Sequence, residues 1–173
     1  AVLLAELGLG KEGKILARHA VVEALTEEMV RDKRVCVWGE DVAEQGGAYM
    51  ATYGLLDIFG RNRVFNAPIS ESAIIGTGIG AAITGLRPVV ELMYIDFVLQ
   101  AMDQVGNQAA KARYMFGGQF DIPMVIRATI GGGKGYAGQH SNSLEAVLAH
   151  FPGIRVVAPS NAYDMKGLLK SAI

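Results

Sequence analysis

The chain has 173 residues, 51% apolar and 19% charged, which is the balance of one compact domain with much buried surface. A formal net charge of −1 gives no electrostatic case for nucleic acid or an anionic membrane, and no apolar run approaches the roughly 18 residues that span a bilayer. The one cysteine, Cys36, excludes an internal disulfide, and AVLLAELGLG is too short and lacks the basic start of a secretory signal.

Taken in order, residues 14–32 place Ile15, Ala17, Ala20, Val21, Ala24, Leu25 and Met29 at helical spacing, with Glu27, Glu28 and Arg31 opposite. VCVW (35–38) reads as a buried strand ending in Gly39-Glu40-Asp41, and the GGAY loop leads to a helix over 52–60 and a strand at VFNAP (64–68). A helix over 71–85 follows, then a strand over 88–94, a long helix over 97–116, a strand over 123–129 and a long loop, GGGKGYAGQHSNS. A helix over 143–150, a strand at IRVVAPS (154–160) and a helix over 161–172 close the chain. Apolar strands separated by helices predict an α/β domain, a parallel sheet with helices on both faces. The missing initial methionine and the ending at SAI, within a helical pattern, lead us to expect a piece of something longer.

In open parallel sheets ligands collect beyond the carboxyl ends of the strands. Those positions hold Glu40 and Asp41, Ser70 and Glu71, Asp96 and Phe97, and the loop from Ile130 to Ser143. Two glycine motifs there fail their usual readings. Gly76, Gly78 and Ala81 match G-x-G-x-x-A, with Glu91 downstream, but a dinucleotide fingerprint must turn directly out of a strand and ISESAII precedes these glycines. GGGKG (131–135) has Ala128 where a P-loop needs its first glycine and Gly135 where it needs Ser or Thr, so Lys134 reads as a loop residue. The pairs Gly76 and Gly80, Gly78 and Ala82, and Ala81 and Gly85 instead form small-residue rows that admit another backbone closely, the pattern of a subunit interface.

His140 is a titratable group at the ligand edge, whereas His19 and His150 lie in helical segments and read as surface or packing residues. No His, Cys, Asp and Glu set has metal-site spacing, no Ser-His-acid arrangement is legible, and Cys36 lies inside a strand where it reads as inert. From Ser72 to Leu86 there is no charge, so Glu71 is a lone acid at the mouth of an apolar element. Two readings of Glu71 stand side by side. With Ser70 as N-cap, it is a first-turn acid favoured by the helix dipole. With Ile69, Ala73, Ile74 and Met93 around it, it is a poorly hydrated acid whose raised pKa keeps a proton available for exchange.

GEDVAEQGGAY, FNAPISESAIIGTGIGAAITGLRPVVE, DQVGNQAAKARYMFGGQ, GQHSNSLEA and PGIRVVAPSNAYDMKGLLKSAI together resemble the β chain of the thiamine-diphosphate-dependent E1 component of 2-oxoacid dehydrogenase complexes. The resemblance runs in order from about Lys14 to the end. It implies a transketolase-like pyrimidine-binding domain over 14–173, preceded by an extension over 1–13, with the family's C-terminal transketolase-type domain absent. It implies thiamine diphosphate as cofactor, with Mg²⁺ and the diphosphate held by a partner α chain that carries the G-D-G…N motif. By the same resemblance Glu71 hydrogen-bonds the aminopyrimidine N1′, Phe97 stacks on that ring beside Ile69, and Glu40 is a cofactor-side acid in proton traffic between paired sites. His140 would face substrate, intermediate or incoming lipoyl group. Met124 and Ala172 fall where family members hold K⁺ through backbone carbonyls, although the later ligands of that site lie past Ile173.

The implied reaction is decarboxylation of a 2-oxoacid, pyruvate or branched-chain, and transfer of the acyl group to lipoyl on E2. The implied partners are an E1 α chain and a second β chain in an α2β2 enzyme, and the E2 acyltransferase. The implied compartment is the bacterial or archaeal cytoplasm, or the mitochondrial matrix or plastid. An acetoin dehydrogenase E1 β chain and a non-catalytic assembly fragment are the alternatives. Transketolase and deoxyxylulose-phosphate synthase fit less well, because their equivalent glutamate sits in G-I-[AR]-E rather than I-S-E.

Overall fold

The computed structural model describes residues 15–173, so the expected extension over 1–13 lies outside the described residues. Four parallel strands, β1 (Val35–Gly39), β2 (Val64–Asn66), β3 (Arg87–Tyr94) and β4 (Val125–Thr129), form one sheet in the order β2-β1-β3-β4. The helices are α1 (Ala17–Arg31), α2 (Leu55–Phe59), α3 (Glu71–Ile83), α4 (Ala112–Met115), α5 (Glu145–Ala149) and α6 (Ala162–Ala172).

Alternation along β1 divides the core. Val35 and Val37 join Val89, Val22, Leu25 and Met29 on the α1 face, where Met165 and Leu169 of α6 pack. Cys36 and Trp38 join Val90, Leu92, Ile74 and Ile75 on the α3 face. The expected parallel sheet with helices on both faces is therefore present. At the C-terminus of α1, Arg63 donates to the carbonyls of Met29 and Asp32 at 2.9 Å, satisfying groups the helix leaves open. Lys166 of α6 donates to Glu23 and Glu27 of α1 at 2.7 Å each, which aligns the two helices but, being partly exposed, adds little stability.

Two elements depart from expectation. The helix expected over 97–116 is instead a 3₁₀ segment (Ile95–Ala101), a π-type segment (Gln104–Ala109) and α4. Close packing accounts for the wider turn: a Cβ on Gly106 would lie 2.6 Å from the Phe151 ring, so the helix meets that ring with bare backbone. The strand expected over 154–160 makes no ladder hydrogen bonds and lies outside the sheet. Its side chains explain this. Val157 is exposed and Ile154 and Val156 are only half-buried, so the β-branched run covers one side of the core rather than sitting between two layers.

Helix α3 has two different small-residue faces. A Cβ on Gly78 would stand 2.5 Å from Met124 Sδ and 3.0 Å from Val90 Cγ1, so this row, with buried Ala82, is what lets α3 lie against the sheet. A Cβ on Gly80 would meet nothing within 4 Å. Trp38, Phe65, Ala73, Thr77, Ala81 and Leu86 line a groove of about 460 Å³ beside this helix. Residue Gly76, expected to mark a dinucleotide fingerprint only if it followed a strand, lies within the first two turns of α3, which excludes that reading.

Candidate functional site

The carboxyl ends of β1 and β3 and the N-terminus of α3 meet at one edge. Glu71, the first residue of α3, is 4% exposed, although Ser70 before it makes no side-chain cap bond. The apolar setting expected around it is only partly present. Ile74 is buried, but Ile69 is 83% exposed and Ala73 is exposed, because the chain turns outward after β2 and residue 73 lies about 200° around the helix from residue 71.

Glu40, just past β1, brings a second carboxyl to the same place. Its Oε1 is buried without a hydrogen-bond partner. Burial first, then the adjoining Glu71 carboxyl and Asp41, push its pKa up. A carboxyl whose folded-state pKa is raised is destabilising once ionised, so Glu40 lowers stability as pH rises through its unfolded value. Glu40→Gln is accordingly expected to melt higher than the parent at pH 7, with the difference vanishing below about pH 4.5, where the acid is protonated in both states. Thermal denaturation across that range checks the sign.

The other side of the edge is aromatic. Tyr94 ends β3 at an irregularity between Leu92 and Tyr94, and its ring meets His140 edge-on with centroids 4.7 Å apart. Phe97 meets the same imidazole at 5.2 Å and a steep angle. The His140 loop is tied down through Asp96, a buried residue whose Oδ1 accepts from both the backbone and the side chain of Asn142. Burial pushes Asp96 up, but the Asn142 side chain and backbone N–H groups outweigh it and hold its pKa below the ordinary value. Tyr136 stands 5.9 Å from Tyr94, and Tyr49 stands 6.5 Å from it on the opposite loop. Partial burial and the hydroxyls of Tyr94 and Tyr136 push the Tyr49 phenol up to about 12. Backbone strain concentrates here too: Asp41, Tyr49, Met50 and Ala137 all have positive φ, between 53° and 64°.

The structure thus brings Glu40 to Glu71 and Phe97 to His140, while Ile69 projects from the surface. Lys134 is an exposed loop residue and His150 is exposed. His19 is buried with Nδ1 unpartnered, on α1. Cys36 is a core thiol that burial pushes up to about 11, which leaves it inert at neutral pH. Met124 packs on the α3 side of the core and Ala172 ends α6. Among the described residues no group of three or more His, Cys, Asp or Glu could hold a metal ion, and no helix is long and apolar enough to cross a membrane. A larger open groove, about 940 Å³ and bordered by Arg113, Tyr114, Asp121 and Arg155, contains none of the sequence-predicted site residues.

Sequence reasoning missed Glu91. It weighed this residue only as a nucleotide-ribose acid, yet Glu91 lies in the middle of β3 at 1% exposure, paired with Arg127. The signal was available. A single acid in one buried strand and a single cation in VIRAT, the strand beside it, must answer each other or stay unpaired.

The family model for the pyrimidine binding domain of transketolase matches residues 13–173. The 2-oxoisovalerate dehydrogenase subunit beta of Bacillus subtilis is 49% identical over 154 residues, covering 89% of this chain and 47% of that protein. The pyruvate dehydrogenase E1 component subunit beta of Rickettsia felis is 48% identical over 160 residues, covering 92% of this chain and 49% of that protein. The chain therefore spans about half the length of these curated relatives. A solved structure titled split gene transketolase, inactive beta4 tetramer, superposes with a TM-score of 0.69 at 20% identity, covering 90% of this chain and 46% of that one, which supports the fold alone. With the match running through the whole sheet and every strand-end residue described above, the chain belongs to the transketolase pyrimidine-binding domain family.

Proposed function

We propose that this chain supplies the pyrimidine-binding half of an E1 active site that decarboxylates a 2-oxoacid and passes the acyl group to a lipoyl group on E2. The observation that carries the reading is the carboxyl pair: a buried Glu71 beside a Glu40 oxygen that is buried and unpartnered. A heteroaromatic ring with both a proton-accepting nitrogen and an amino group would satisfy that pair, so the residues present fit the aminopyrimidine of thiamine diphosphate. When bound, thiamine diphosphate supplies the electron sink that lets a 2-oxoacid lose CO₂.

Glu71 holds and exchanges a proton at the ring nitrogen. Its first-turn position on α3 fixes the carboxyl, and its burial keeps water from competing for that proton. Glu40 faces Glu71 and takes part in moving that proton. Phe97 offers its ring to the pyrimidine plane, and His140, braced by Tyr94 and Phe97, faces the acyl end. Mg²⁺ and the diphosphate fall to a partner α chain, with two α and two β chains in the enzyme. K⁺ at Met124 and Ala172 is part of the same reading, as are the domain bounds 14–173.

The relatives named as pyruvate and 2-oxoisovalerate dehydrogenase subunits favour a 2-oxoacid over acetoin. Co-production with the partner α chain tests this: CO₂ release from pyruvate or a branched-chain 2-oxoacid is expected, and cleavage of acetoin alone would overturn it. The uncovered Gly80 face of α3 is where we place the partner. Gly80→Leu is expected to leave this fold intact, since nothing lies within 4 Å of the added Cβ, and to prevent assembly. Sedimentation of an intact αβ complex with Gly80→Leu would move the interface elsewhere.

A further inference from the structure

We propose that Glu91 is a positioning residue that holds the Gly46–Tyr53 loop so that Tyr49 stands against Tyr94 and Tyr136, behind His140. The inference rests on the site reading above for its link to catalysis, but its geometry stands independently. Gly39, Glu91 and Arg127 occupy matched register positions on β1, β3 and β4. Gly39 is needed there because a Cβ would strike the Glu91 backbone carbonyl. In the space this leaves, the Glu91 carboxylate pairs with Arg127 through Oε2 and accepts the Ala48 N–H through Oε1 at 2.6 Å.

The loop is shaped to reach that carboxylate. Gly47, at φ 68°, lies so close that a Cβ would overlap Glu91 Oε1. The loop closes on itself through Gly47 N–H to the Asp41 carbonyl at 2.8 Å and Thr52 Oγ1 to the Val42 carbonyl at 2.8 Å. One bond at Ala48 therefore fixes the residue that follows it, Tyr49, in a left-handed conformation that a free loop would abandon. From Tyr49 the contacts run to Tyr94 and from Tyr94 to His140. A buried charge with one ionic and one backbone partner, aimed at a strained loop beside the site, acts on the site through that loop and touches no reacting atom.

The test uses the chain assembled with its α partner, with Glu91→Met and Gly47→Ala as separate variants. The first keeps the side-chain length but removes both the ion pair and the acceptor for the Ala48 N–H; the second sets a methyl group against Glu91 Oε1 and forces the loop off it. Amide hydrogen exchange in residues 46–53 is expected to rise at least about tenfold in each, with exchange in β1 and α1 unchanged. In steady-state turnover of a 2-oxoacid, kcat is expected to fall about tenfold and KM for the 2-oxoacid to rise, while the Kd for thiamine diphosphate stays put. Unchanged exchange in 46–53 in both variants would overturn the lock, as would faster exchange spread equally over β1 and α1. Faster loop exchange with unchanged kcat and KM would overturn the link to His140. Should the parent complex turn over no 2-oxoacid at all, the functional reading fails, and loop exchange still decides the role of Glu91.

Discussion

Glu71→Gln is expected to lower 2-oxoacid turnover of the assembled enzyme by about 10²–10⁴-fold, the usual contribution of a positioned acid or base. Gln keeps the side-chain length and can still hydrogen-bond a ring nitrogen, but it has no exchangeable acidic proton. Stability alone does not separate the two readings; turnover does. Were Glu71 only a first-turn acid, replacing it would cost at most about 1 kcal/mol and leave turnover alone. The burial of Glu71 and the absence of a side-chain cap bond from Ser70 favour the chemical role over capping. A melting temperature within a few degrees of the parent, together with the loss of turnover, is the expected pair of results.

His140→Ala is expected to reduce turnover by about 10²-fold or more if the imidazole moves a proton at the acyl end. Its packing contribution is bounded. Two edge-on aromatic contacts, to Tyr94 and Phe97, are each worth about 0.5–1.5 kcal/mol. Together they come to about 1–3 kcal/mol, a melting shift of roughly 2–12 °C in a domain of this size. Steady-state kinetics beside thermal denaturation separates the two roles. A large fall in melting temperature with normal specific activity would make His140 a prop for the loop.

Much of the fold was legible because its signals are local. Helical spacing in α1, the continuous apolar run of β1 and the largely apolar run of β3 follow from which faces must be buried. The run over 154–160 misled because β-branched residues favour any extended backbone, whether or not a neighbouring strand is free to pair. The helix over 97–116 was misread in detail because its distortion is imposed by Phe151, more than 40 residues beyond Gly106.

The site was legible in the same uneven way. Glu40, Glu71, Phe97 and His140 follow from strand ends and from the family's motifs, since they sit where the chain leaves the sheet. Tyr49, Tyr94 and Tyr136 come together only through a loop closure, a strand irregularity and the Asp96–Asn142 tie, none of which leaves a spacing in the sequence. The exposure of Ile69 has a comparable origin. An apolar residue before a buried acid suggests a covered pocket, yet on this chain it stands free, and a partner surface is what would cover it.

The central claim is that Glu71 exchanges a proton with the pyrimidine ring of thiamine diphosphate. Exchange of the cofactor's C2 hydrogen with deuterium, followed in the assembled enzyme without substrate, tests it most directly. It isolates the proton step from substrate binding and acyl transfer. In Glu71→Gln the exchange rate is expected to fall by about 10²–10⁴-fold relative to the parent. Exchange at the parent rate would contradict the account and leave Glu71 as a helix-terminal acid.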